Sequence, residues 1–71
     1  MPNMHALRGT IIARGHSIED VAENTGISRS TMYRKIADGG DSFSVKEIVA
    51  IKKYLNLNSQ EFFAIFVDNY Y

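Results

Sequence analysis

The chain has 71 residues, of which 45% are apolar and 23% charged, a globular composition that excludes the disordered and low-complexity classes and predicts a single domain, 1–71. Eight Lys and Arg balance eight Asp and Glu, which excludes any general attraction to nucleic acid or to an anionic surface, so such an affinity has to be local. The absence of cysteine excludes a disulfide framework and a thiolate metal site, and fits a reducing compartment. Met1 to Leu7 lack a basic segment leading into an apolar run, and no stretch has the length of a membrane span. The expectation is a cytoplasmic protein with no membrane partner.

Five helical segments and no strands are predicted in chain order, an all-α fold. The first runs from about Met4 to Arg14, with Asn3 as N-cap, Met4, Leu7 and Ile11 on one stripe, and Gly15 free to take the left-handed stop. The second starts from Ser17, carries Ile18, Val21, Ala22 and Thr25 at helical spacing, and ends at Gly26. The third, about Ser28 to Ala37, is capped by Ser28 and buries Met32 and Ile36, leaving Arg29, Ser30, Tyr33 and Arg34 pointing elsewhere. Asp38-Gly39-Gly40-Asp41 is a loop by composition. Ser44 and Glu47 form a capping box that opens the fourth segment, with Val45, Ile48, Ile51 and Leu55 as its buried stripe and Asn56 as its stop. A second box, Asn58 with Glu61, opens the fifth, which continues through Phe62, Phe63, Ile65 and Phe66 toward Tyr70 and Tyr71.

The spacing of Val21-Ala22, Gly26-Ile27, Met32 and Ile36 has a steric logic. A small Ala22 lets two helices cross closely, Gly26 makes the sharp turn, and Ile27 and Met32 lock the crossing from inside. That unit is a helix-turn-helix at helices two and three, whose second helix forms a ridge able to enter the DNA major groove. Arg29, Arg34 and Lys35 cluster there with no acid between Glu23 and Asp38, although the same cluster is also the pattern of a solvated helix face.

Ile18 to Ile36 resembles the helix-turn-helix of phage repressors of the lambda repressor and Cro class. The likeness extends to Leu7-Arg8, to Gly15-His16-Ser17, and to Leu55-Asn56-Leu57-Asn58-Ser59-Gln60-Glu61-Phe62, so it covers most of the chain. The resemblance implies a five-helix lambda repressor-like domain and a sequence-specific transcriptional regulator that takes a double-stranded DNA operator. It also implies that Arg29, Ser30 and Arg34 occupy base-reading positions, with Ser28 and Tyr33 as backbone-contacting or secondary readers and Lys35 beside them. Three positions depart from the family. Ile18 stands where members usually carry a phosphate-touching glutamine, leaving only its backbone amide at a helix N-terminus. Asp38 and Asp41 stand where basic phosphate contacts are common. Ile36 stands where a glutamate often pairs with an arginine like Arg8, so Arg8 is expected to lean on Asp38 or to stay solvated.

His5 and His16 have no metal-ligand spacing and read as surface histidines, so neither metal nor cofactor is expected. Catalysis is not expected either, because compact helices of this size offer little concavity for convergent groups. The ending Phe62, Phe63, Ile65, Phe66, Val67, Tyr70 and Tyr71 carries more apolar surface than one short helix can bury here. Phe63, Val67 and Tyr70 are expected to form a homodimer seam. A second function fits the missing phosphate anchors: an antirepressor that keeps the fold and makes a heteromeric contact with another repressor.

Overall fold

The computed structural model describes residues 1–68 as five helices: α1 Met4–Ala13, α2 Ile18–Thr25, α3 Arg29–Ala37, α4 Val45–Leu55 and α5 Ser59–Phe66. Each begins where a side chain replaces a missing intrahelical acceptor. Asn3 Oδ1 accepts from the Ala6 amide at 2.9 Å, and Ser17, Ser28, Ser44 and Asn58 accept in the same way from the amide three residues on. In α2, α4 and α5 the acid at that third position, Asp20, Glu47 or Glu61, bonds back to the cap amide and completes a capping box. The stops are equally local. Gly26 and Asn56 take left-handed backbone, at φ +75° and +53°, which glycine adopts freely and asparagine tolerates.

One core runs through all the helices. Leu7 and Ile11 of α1, Val21 of α2, Met32 of α3, Ile51 and Leu55 of α4 and Ile65 of α5 are fully buried. α2 packs against both α3 and α4, while α1 packs against α5 and α2. The Asn3 amide donates to the Ile65 carbonyl at 2.6 Å, tying the first helix to the last. Among the described residues two ion pairs join elements at the rim: Arg14 Nη2 reaches both carboxylate oxygens of Glu61 at 2.7 and 2.8 Å, and Lys35 Nζ reaches Glu47 at 2.6 Å. No helix of the described residues is long and apolar enough to cross a membrane.

Two expectations are corrected. Val45 is not part of the buried stripe of α4 but is 78% exposed. At about 100° per residue it lies about 90° from the centre of the stripe formed by Ile48, Ile51 and Leu55. Phe43, just before the cap, is buried instead, edge-on to Phe66 at 6.5 Å. His16 is half-buried rather than a surface residue, with Nδ1 3.2 Å from the Tyr54 hydroxyl and the two rings 4.9 Å apart. α5 ends at Phe66, so the expected continuation through Tyr70 and Tyr71 lies outside the described residues. Within the expected seam, Phe63 is 45% exposed, Val67 is half-buried against the core, and Tyr70 is likewise outside the described residues.

Candidate nucleic-acid interface

The turn between α2 and α3 is set by backbone conformation. A Cβ on Gly26 would meet nothing within 4 Å, so the residue is there for its φ of +75° and not for space. The amides of Gly26 and Ile27 both return to the Ala22 carbonyl. Ala22 is completely buried, and a larger side chain there would push the two helices apart. From the turn, Ser28 starts α3 with its hydroxyl fully engaged. It accepts from the Thr31 amide at 3.3 Å and donates to Thr31 Oγ1 at 2.8 Å.

α3 is divided sharply by face. Met32 and Ile36 are buried, while Arg29, Ser30, Tyr33 and Arg34 are exposed. With the buried pair as reference, Ser30 and Arg34 project most directly away from the core, and Arg29 and Tyr33 lie on the flank nearer α2. Tyr33 is held on that flank: its hydroxyl donates to Glu19 Oε2 at 2.5 Å. That bond pushes the Tyr33 hydroxyl above its ordinary range and holds the Glu19 carboxyl below its own. The Arg8 and Arg29 guanidiniums offset part of the tyrosine rise.

Lys35 is on the other flank. It is half-buried, bound to Glu47 of α4, and its Nζ lies 5.9 Å from the centre of the Phe43 ring. The structure therefore brings Arg29, Ser30, Tyr33 and Arg34 onto one exposed surface with Ser28 at its edge, and turns Lys35 toward α4 instead. No ion pair among the described residues joins the exposed Arg8 to Asp38.

The N-terminus of α2, where a phosphate anchor was expected at the Ile18 amide, already holds its own anions. The Asp20 carboxylate accepts from the Ser17 amide at 2.9 Å, which keeps Asp20 below the ordinary aspartate value, and Glu19 stands beside it. Glu19 and its bond to Tyr33 were not legible in the sequence. The two residues are 14 apart and meet only through the crossing of α2 on α3.

No curated protein and no solved structure matches the chain at a significant level. Residues 3–39 match the sequence profile described as the helix-turn-helix domain of resolvase, a segment that contains α1, α2, the turn and α3. The chain thus belongs to the resolvase helix-turn-helix family, and is a helix-turn-helix DNA-binding domain.

Proposed function

We propose that the 71 residues act as one domain, a sequence-specific transcriptional regulator of the phage repressor and Cro type, with α3 lying in the major groove of an operator. The observation that carries this reading is the split of α3 between a face locked into the core by Met32 and Ile36 and an outer face of hydrogen-bonding side chains. Arg29 and Arg34 each donate two parallel hydrogen bonds to a guanine edge, and Ser30 between them accepts several bases. Ser28 and Tyr33 border the backbone. Lys35 acts by fixing α3 to α4 through Glu47. Dimerisation through Phe63, Val67 and Tyr70 would present two such helices to half-sites about 34 Å apart.

The test is a titration of the duplex selected from a random library at low salt. Arg29→Ala and Arg34→Ala should each weaken it by about 1–3 kcal/mol and relax preference at one base pair. Equal binding by wild type and both variants would remove α3 from the reading role.

A second reading is favoured by the carboxylates of Glu19 and Asp20 at the start of α2, where phosphate would approach. On it the domain is an antirepressor that covers another regulator's recognition surface. Mixing it with a helix-turn-helix repressor from the same genome and that repressor's operator decides: a stoichiometric complex that excludes operator DNA supports this role, and an operator bound by this chain without any such complex removes it.

A further inference from the structure

The outward face of α4 combines exposed apolar side chains with lysines. Val45 and Val49 sit four residues apart on one side of the helix, 78% and 40% exposed. Around them are the three lysines of this helix, Lys46, Lys52 and Lys53, and its sole acid, Glu47, is consumed internally by Lys35 and the Ser44 amide. Lys46 and Lys53 are exposed and Lys52 is half-buried. Beside this face runs an open groove of about 360 Å³ between the α2–α3 turn and the first half of α4. It is lined by Thr25, Gly26, Ile27, Lys46, Glu47 and Ala50, among others.

We infer that this face docks an acidic amphipathic helix of a partner protein, its apolar stripe on Val45 and Val49 and its carboxylates on Lys46, Lys52 and Lys53. Two rows cross at Val49: Val45, Val49 and Lys52 form one, and Lys46, Val49 and Lys53 the other. The face thus alternates apolar contact with positive charge at helical spacing, the complement of a helix with apolar anchors at i and i+4 flanked by Glu or Asp. A second copy of the chain fits poorly, because a two-fold pairing sets the same patch against itself and lysine against lysine. Duplex DNA fits poorly as well. Phosphates gain nothing from the two valines, and Glu47, which reaches α3, is about 200° around the helix from Val45, so the valines turn away from the recognition helix. Charge complementarity across such a surface mainly selects the partner and speeds encounter, while the apolar pair supplies the desolvated centre.

The probe is a synthetic 18-residue helix with leucines at i, i+4 spacing and glutamates on both flanks, titrated into the whole chain and followed by amide chemical shifts. A control peptide keeps the leucines and replaces every glutamate with lysine. The acidic peptide is expected to shift Val45, Lys46, Val49 and Lys53 with a Kd below about 1 mM, and the basic control to bind at least tenfold more weakly. Lys46→Glu with Lys53→Glu, and separately Val45→Ser with Val49→Ser, should each weaken the acidic peptide tenfold or more. These side chains are exposed, so the melting temperature should stay unchanged. Shifts confined to α3 or α5, or no binding, overturn the inference. So does a loss of duplex affinity in the double lysine variant, which would make the face a phosphate surface, or a loss of self-association in the double valine variant, which would make it a homotypic one.

Discussion

Arg34 and Lys35 are neighbours in the chain with opposite fates. Arg34 projects into solvent, whereas Lys35 is held between Glu47 and the Phe43 ring. Its loss should therefore be read in stability before it is read in DNA affinity. Lys35→Met keeps the apolar stem but strands Glu47, and should cost about 1–2 kcal/mol in urea denaturation, because a partly buried carboxylate then loses its charged partner. The same contact predicts a pH effect. Glu47 titrates below the ordinary glutamate value of 4.5, first because of Lys35 and then because of the Ser44 amide. A carboxyl depressed on folding contributes stability that is complete above its unfolded value and is lost as pH falls through the folded one. The wild-type protein should thus lose stability only below about pH 4.5. Lys35→Met lacks that contribution at every pH and enters the acid range less stable, so its acid-unfolding midpoint, followed by circular dichroism, should move to higher pH while its stability depends less steeply on pH near 4.5. An unchanged midpoint would mean that the ion pair contributes nothing net.

At the scale of the elements, the glycines separate backbone conformation from space. Gly26 and Gly40 both have positive φ, +75° and +84°, but a Cβ at Gly26 points into open space, while one at Gly40 would come within 2.7 Å of Met4 Cε and 3.1 Å of Pro2 Cβ. Gly26→Ala should cost about 1–2 kcal/mol of left-handed strain alone. Gly40→Ala should cost more, because the buried Met4 side chain and Pro2 must also give way. Equal midpoints for the two variants in urea would show that Met4 yields freely. This contrast also marks what could be read from the sequence. Helix starts and stops depend on residues within a few positions, so Asn3, Ser17, Ser28, Ser44 and Asn58 announce every N-cap, and Gly26 and Asn56 announce their stops. The stripe of α4 was legible from Ile48 to Leu55 but not at Val45, where a three-residue step backwards stays apolar in sequence and rotates out of the core in space. Phe43, one residue before the cap, could be ranked only by knowing that Phe66 comes beside it. The contacts between helices, Glu19 with Tyr33 and Lys35 with Glu47, join residues 14 and 12 apart, and depend on crossing angles that no local pattern encodes.

For the molecule as a whole, zero net charge conceals a strong segregation. α2 carries Glu19, Asp20 and Glu23 with no base, and α4 carries three lysines, of which Lys46 lines the groove beside the α2–α3 turn. α3 exposes the cations Arg29 and Arg34, the exposed Arg8 acts on the Tyr33 hydroxyl, and the loop after α3 exposes Asp38 and Asp41. Phosphate neutralisation by so few cations releases few counterions, and the logarithm of affinity falls with the logarithm of salt at about −0.9 per phosphate contacted. On the proposed reading, which directs Arg29 and Arg34 to bases, one protomer should contact about two or three phosphates and show a slope of about −2 to −3, and a dimer about twice that. Anisotropy titrations of the selected duplex between 50 and 200 mM salt measure it. Glu19→Gln should raise affinity at every salt concentration, by removing an anion beside the duplex while leaving an amide to hold Tyr33. A dimer slope steeper than about −8 would require the α4 lysines on the DNA, and would overturn both this charge map and the assignment of that face to an acidic protein helix.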